Sequence, residues 1–284
     1  MTLGTTLAAA RERLMRSDFD AAEAAVDVDV YARTILGWDR AQLLTNLTTT
    51  TPPNLEPQFS EWLARRERHE PTAYIVGNRE FWGLDFKVTP AVLIPRPETE
   101  FIVEEAVPLL RAMGTGPFRI ADVGTGSGCI AVSLAREVPT ARVIATDVSA
   151  DALVVAQENS ERHGTADRVS FVCTSFLDDV DGPFDLIAAN PPYVRDGDKR
   201  ALSPDVKHEP EVAIFGGETG LRDLDAVLTA AETKLRPGGW LVMEFGFGQE
   251  DDVRDLVARH SQLRFDRVRE DLQGLARTSI IQKA

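Results

Sequence analysis

From Phe118 onward the chain alternates short apolar runs with amphipathic stretches of helical length, and this alternation narrows the possible folds more than any other feature. Strands are expected at 118–123 (FRIADV), 142–147 (RVIATD), 169–173 (VSFVC), 184–189 (FDLIAA) and 239–246 (GWLVMEFG). Helices are expected between and after them, at about 128–137, 150–162, 221–235 and 249–260. Strands this apolar, each followed by a helix, pack as a doubly wound, largely parallel α/β sheet with helices on both faces. Two last strands, near 264–270 and 277–283, have no long helix between them and predict an antiparallel hairpin at the end of the sheet.

The first 76 residues have a different period. Leu3, Leu7, Ala10 and Leu14 recur at helical spacing, as do Ala24, Val28, Tyr31 and Ile35, with Gly37 placed as a stop. Thr48 to Pro57 reads as a loop, and a further helix carries Phe59, Trp62, Leu63 and Arg66 and ends before Pro71. Residues 1–76 are therefore expected to form a small helical bundle, a recognition or lid module with no chemistry of its own. Residues 77–92 read as a β-hairpin linker, since Leu84, Phe86 and Val88 alternate after a turn at Gly83. A proline-clipped stretch, Leu93 to Glu100, then opens a helix from Phe101 to Arg111, and residues 93–284 form the remaining domain.

Composition sets limits on partners. The 284 residues are 43% hydrophobic and 27% charged, which suits a chain with a real core. The net charge of −14 argues against gripping a nucleic-acid backbone, an interaction that draws on a basic surface to neutralise phosphates. Arg65-Arg66-Glu67-Arg68, the nearest thing to a basic run, reads as the solvated face of a helix. Nothing approaches the roughly 18 consecutive apolar residues of a membrane span, and MTLGTTLAAARERLMR lacks the pattern of a secretory signal. Cys129 and Cys173 both lie in apolar runs and are expected to be reduced core thiols. A cytoplasmic monomer without membrane or nucleic-acid contact is the expectation.

Asp122-Val123-Gly124-Thr125-Gly126-Ser127-Gly128 follows the first strand of the alternating region and precedes a helix. Glycines there let the backbone turn and approach a ligand, and the helix offers free N–H groups at the crevice where open parallel sheets bind nucleotides. Asp147 ends the next strand, close to the offset at which an acid reaches ribose hydroxyls, while Ser149 is the better N-cap for the helix that follows. The residues alone leave the nucleotide open. A phosphate-binding P-loop is excluded because no Gly-Lys-Ser/Thr follows. The tight Gly-x-Gly-x-Gly spacing leaves space for a compact amino-acid tail such as that of S-adenosylmethionine, whose ammonium Asp122 can help hold; that step already rests on a likeness to methyltransferases.

Asn190-Pro191-Pro192-Tyr193 stands at the end of the fourth of these strands. Two prolines stiffen the loop and remove backbone donors. An asparagine side-chain oxygen and a proline carbonyl can each accept one N–H of a planar NH2 group, holding its nitrogen towards an electrophile, and Tyr193 offers a flat surface. An amide nitrogen has no proton that must leave before attack, so no strong base is required. His69, His163, His208 and His260 are scattered and read as surface groups.

These residues resemble the HemK/PrmC family of peptide chain release factor glutamine N5-methyltransferases. The likeness spans nearly the whole chain: Ala73 to Gly77, Phe81-Trp82-Gly83, Ile94 to Glu100, Gly124 to Gly128, Asp147, Asn190 to Tyr193, Glu209-Pro210 and Gly216-Gly217. It implies a class I S-adenosylmethionine-dependent methyltransferase fold behind a helical domain, no metal, and class I release factors as protein substrate. It also implies that Gly124, Thr125, Gly126, Ser127, Gly128, Asp147, Val148, Phe176 and Asn190 meet the cofactor. Asn190, Pro191, Pro192 and Tyr193 would hold the glutamine of a Gly-Gly-Gln loop as the catalytic group, walled by Arg96, Pro97, Glu98 and Thr99. Ser175 departs from the family, which often has an acid there for the adenine amino group; that contact would pass to Asp178 or water. Two other readings compete: an adenine-N6 methyltransferase acting on nucleic acid, disfavoured by the acidic charge, and a non-catalytic binding module, disfavoured by the intact tetrapeptide.

Overall fold

The computed structural model describes residues 1–284, which form two compact units. The first comprises Met1–Gly77 together with Pro204–His208. Its helices are α1 (Leu3–Met15), α2 (Ala21–Leu36), α3 (Arg40–Thr45), α4 (Gln58–Arg66) and α5 (Thr72–Val76). The spacing expected of α1 and α2 is realised: Leu3, Leu7, Ala10 and Leu14 are buried, as are Ala24, Val28 and Tyr31, and Gly37 caps α2 at φ +67°. Helix α3 was not expected. Its six residues are too few to show a period, and its signal is local: Asp39 and Gln42 cap each other reciprocally.

Arg66 overturns the reading of the basic run as a solvated face. It falls on the Phe59–Trp62–Leu63 side of α4 and is 2% exposed. Its guanidinium donates to Asp27 and Asp205, each at 2.7 Å, and to Glu23, and lies 4.0 Å from the centre of the Phe19 ring. A buried cation is tolerated because a carboxylate accepts from each of the three nitrogens of its planar fork. Arg68, by contrast, stays exposed.

The second unit comprises Asn78–Ser203 and Glu209–Ala284. It opens with the expected hairpin, β1 (Asn78–Phe81) and β2 (Leu84–Lys87), turning at Gly83 with φ +69°. The hairpin is not a free linker. Phe81 and Phe86 enter the core of this unit, and the Asn159 side chain bonds both backbone groups of Lys87. Next come α6 (Glu100–Ala112), β3 (Phe118–Val123), α7 (Cys129–Glu137), β4 (Ala141–Asp147), α8 (Ala150–Arg162), β5 (Val169–Cys173) and β6 (Phe184–Ala189). The chain ends with α9 (Arg222–Lys234), β7 (Leu235–Glu244), α10 (Glu250–Arg259), β8 (Leu263–Glu270) and β9 (Ala276–Lys283).

The seven-stranded sheet runs β5-β4-β3-β6-β7-β9-β8, parallel through β7 and antiparallel at the C-terminal hairpin, where β9 inserts between β7 and β8. Successive residues of each central strand serve opposite cores: Ile120 and Leu186 face α6 and α7, while Ala121 and Ile187 face α9 and α10. Burial on both faces explains the unbroken apolar runs. Strand β7 begins earlier than expected because Leu235 already pairs with Phe184, ahead of a bulge. Cys129 is buried as expected, but Cys173 is exposed: it ends the edge strand β5, where no further strand covers it. Both thiols are free. No helix is long and apolar enough to cross a membrane.

Candidate functional site

Strand order changes direction between β3 and β6, the switch point at which a doubly wound sheet opens a crevice. Register sets what meets there. Val123 pairs with Ala189, so Gly124 and Asn190 are the next residues on neighbouring strands. Met243 also pairs with Ala189, which brings Glu244 alongside Asn190. Val123 pairs with Thr146, so Asp147 follows on the other side. The loops after these strands wall one cavity of about 400 Å³, within the range of small-molecule sites.

On the glycine loop, Gly124 (φ +72°) and Gly126 (φ +54°) adopt left-handed backbone, and a Cβ on either would meet nothing within 4 Å. The loop is thus an open cradle whose missing side chains leave the cavity clear. Gly124 and Thr125 donate to Thr146 O, and Gly126 donates to Asp147 Oδ2 at 2.9 Å, tying the loop to β4. Asp147 Oδ1 accepts from Ser149 N, and Ser149 caps α8 as expected. Burial raises the Asp147 pKa above the ordinary aspartate value, against the lowering pull of the Ser149 and Gly126 N–H groups.

Gly124, Thr125, Gly126, Ser127, Asp147 and Val148 all line the cavity, as do Phe176 and Asn190. Phe176 sits at φ +47°, a conformation unusual for a side chain of that bulk, held where it contributes to the wall. Gly128 does not reach the cavity. Its hydrogen faces α8, where a Cβ would stand 3.1 Å from Ala156 Cβ, so this glycine serves helix packing. Asp122 does not reach it either, contrary to the expectation that it helps hold an ammonium. Its carboxylate is fully buried, with Oδ2 accepting from the Thr125 hydroxyl and Ala131 N, so it braces the loop from behind. Burial pushes its pKa up to about 7 despite both donors.

On the opposite side, Pro191 and Pro192 line the cavity with Arg96 and Thr99, whereas Pro97, Glu98 and Tyr193 do not. The carbonyls of Pro191 and Pro192 accept no backbone N–H; the Pro192 oxygen packs against Gly216, and the Pro191 carbonyl is left as an acceptor. Asn190 Nδ2 donates to Thr99 Oγ1 at 3.0 Å, and its Oδ1 has no protein partner. The Tyr193 hydroxyl turns away from the cavity to Glu244 Oε1, 3.0 Å distant. Arg96 is paired with Glu209, whose other oxygen accepts from Ile94 N at 3.0 Å; this clip fixes the proline-rich stretch against the segment that follows Asn190–Tyr193. None of the four histidines lines the cavity, and no cluster of side chains has metal-ligand character.

Comparison with known proteins agrees with this geometry. Residues 5–77 match the model described as PrmC N-terminal domain, and residues 106–208 match the Methyltransferase small domain. A release factor glutamine methyltransferase of Nitratidesulfovibrio vulgaris is 47% identical over 223 residues, 77% of this chain and 75% of that protein. One from Moorella thermoacetica is 42% identical over 86% of this chain and 87% of its own length. The chain belongs to the release factor glutamine methyltransferase family. A solved methyltransferase from Pyrococcus furiosus, 20% identical, covers 79% of this chain and 99% of its own with a TM-score of 0.52, which shows the shared fold.

Several residues of this family member's cavity escaped the sequence reading. Ala91 to Leu93 and Val212-Ala213 add apolar wall, and Arg222 and Asp223 add a charged pair at the start of α9. Loop residues such as Ala91 to Leu93 and Val212-Ala213 carry no period and no motif. Ser175 lines the cavity and Asp178 does not, so Asp178 does not take over an adenine contact from the wall. Behind the wall rather than on it, the missed residue most open to detection is Glu244, an acid interrupting the apolar run Leu241-Val242-Met243 at the carboxyl end of a buried strand, where such residues are costly.

Proposed function

We propose that this chain transfers a methyl group from S-adenosylmethionine to the side-chain N5 of the glutamine in the Gly-Gly-Gln motif of class I peptide chain release factors. We read it as a monomer acting in the cytoplasm. The names of its relatives support the reaction and substrate. The observation that carries the assignment of residues is the pair of unused acceptors, Asn190 Oδ1 and the Pro191 carbonyl, on the wall of the cavity that the glycine loop also lines.

The cofactor, when bound, supplies an electrophilic methyl on a sulfonium. Gly124, Thr125, Gly126 and Asp147 would hold it: the two glycines leave the space, and the Asp147 carboxylate retains acceptor capacity for ribose hydroxyls after its two backbone bonds. Phe176 and Val148 supply apolar surface for a base. Asn190 Oδ1 and the Pro191 carbonyl each accept one N–H of the glutamine amide, which fixes the NH2 plane and aims the nitrogen along the cavity. Two acceptors also draw electron density towards that nitrogen, whose lone pair is otherwise delocalised into its carbonyl. The proton leaves after the N–C bond has formed, from a nitrogen that is then strongly acidic, so water suffices and no histidine is needed in the wall. The stiffness of the Pro191-Pro192 turn makes this positioning persistent.

The test is mass spectrometry of a purified release factor incubated with the protein and labelled cofactor, with Asn190→Ala beside the wild type. Loss of one preorganised polar contact at the reacting centre predicts a fall in kcat of about 10²–10³-fold. The Kd for S-adenosylhomocysteine should stay within about threefold, because under 1 kcal/mol separates such values. Near-normal turnover by Asn190→Ala would refute the role given to this residue.

A further inference from the structure

Asn190 can serve as an acceptor only if its amide faces the right way round. Flipped, it would present NH2 to the cavity and repel the donor it is meant to hold. The protein settles this orientation at a distance from the substrate. Thr99, 2% exposed, has one hydroxyl proton, and Oγ1 donates it to Glu244 Oε2 at 2.7 Å. Its oxygen therefore has only lone pairs left to offer Asn190, so the asparagine must point Nδ2 at Thr99 and leave Oδ1 to the cavity. The direction of the chain is dictated by its last member. An ionised carboxylate only accepts, and Glu244 accepts twice, from Thr99 at Oε2 and from Tyr193 at Oε1.

We propose that Glu244 is the polarity-setting positioning residue of the site: acting through Thr99, it holds the Asn190 amide with its oxygen towards the substrate and so selects an NH2 group. This rests on the reading of Asn190 given above and extends it to a residue that touches neither substrate nor cofactor. Glu244 lies at the end of β7, 2% exposed, next to Asn190 by strand register. A carboxylate in such a place would be a liability without a task, since burial pushes its pKa up to about 7. The ionisable groups around it are Glu98, which raises its pKa further, Tyr193, whose hydroxyl donation lowers it, Arg277 of β9, which also lowers it, and the buried Cys129 thiol, whose own pKa Glu244 helps to raise. On acidification Glu244 takes up a proton and can donate. Thr99 is then free to keep its proton towards Asn190, and the orientation of the amide is no longer dictated.

Three variants test this: Thr99→Val, Thr99→Ser and Glu244→Gln, each assayed for methyl transfer to a purified release factor across pH 5.5 to about 8.5, a window spanning the shifted carboxyl. Thr99→Val should lower kcat on the order of 100-fold, as expected when a preorganised contact is lost. Thr99→Ser, which keeps the hydroxyl, should restore most of that loss. Wild-type kcat should fall as pH drops below about 7, the value to which Glu244 is raised, and Glu244→Gln should be slower and lack that acidic limb. Calorimetry with S-adenosylhomocysteine should give the same Kd for all four proteins. The relay is overturned if Thr99→Val keeps wild-type kcat, if Thr99→Ser is as impaired as Thr99→Val, or if Glu244→Gln retains the acidic limb at saturating cofactor, a condition that sets aside the other carboxyl raised to about 7, Asp122 behind the glycine loop. A wild type that methylates no release factor overturns instead the reading on which the relay rests.

Discussion

Substituting Gly216 by alanine tests whether the rigidity of the Asn190–Tyr193 turn comes from the segment beneath it. Val194 and Phe215 form a short parallel bridge, and Gly216 N donates to Val194 O at 2.9 Å, so this second segment runs directly along the first. A Cβ on Gly216 would stand 2.4 Å from the Pro192 carbonyl oxygen and 3.0 Å from Gly220 O. Contacts below 3.0 Å do not persist, so the Pro192 carbonyl must retreat by about 0.6 Å or the Gly216 segment must lift by as much. The carbonyl has little freedom to turn alone, because two fixed proline φ angles pass its movement to Pro191 and Asn190. Misplacement approaching 1 Å at a reacting centre costs about 10²-fold in rate, whereas overpacking costs roughly 1–3 kcal/mol in stability. Gly216→Ala should therefore lose about two orders of magnitude in kcat and shift Tm down by about 2–4 °C per kcal/mol lost. The assay is the initial rate of labelled methyl transfer to a release factor, paired with a thermal melt and with S-adenosylhomocysteine calorimetry, whose Kd should hold. Gly197→Ala is the control, since a Cβ there meets nothing within 4 Å and its backbone needs no glycine. If Gly216→Ala turns over within about threefold of wild type, a difference worth under 1 kcal/mol, the turn is held by something other than this contact.

Two further outcomes follow from the burial of charge. Arg66→Ala strands the buried Asp27 together with Glu23 and Asp205, and breaking a buried ion pair costs about 3–5 kcal/mol; Arg68→Ala, two residues along but exposed, should stay within about 0.5 kcal/mol. Denaturant melts of the two variants decide it, and equal losses would contradict the distinct environments of these arginines. Asp147→Ala removes the acceptor of Gly126 N and the group assigned to the ribose, so S-adenosylhomocysteine should bind about 10–100-fold more weakly, in line with about 1.5–3 kcal/mol for a hydrogen bond to a charged group. An unchanged Kd by calorimetry would remove Asp147 from the cofactor site.

What the sequence made legible, and what it did not, divides along a physical line. A residue that ends or directly follows a parallel strand can be assigned to the crevice without knowing its neighbours, because parallel strands present their carboxyl ends on one edge of the sheet. Gly124, Asp147 and Asn190 are of this kind, and the apolar runs before them were enough to place them. Residues that act through a neighbour in space need the strand order, and short-range patterns do not encode it. Glu244 matters because β7 lies next to β6 and Thr99 lies between its carboxylate and Asn190; both facts are invisible in the run LVMEF. Gly128 looks like part of a ligand loop until Ala156 of α8 is seen 3.1 Å from its missing Cβ. Arg66 looks like surface charge until Asp27 and Glu23 arrive from α2 and Asp205 from a segment 139 residues away. Cys173 looks like core until β5 proves to be an edge strand. In each case the residue's own chemistry suggests one environment, and another element of the fold sets a different one. The same dependence gives the site its rigidity: Thr146 and Asp147 of β4 tie down the glycine loop, and Gly216 and Glu244, from two other places in the chain, support the Asn190–Tyr193 turn, so neither loop can rearrange without disturbing an element distant in sequence.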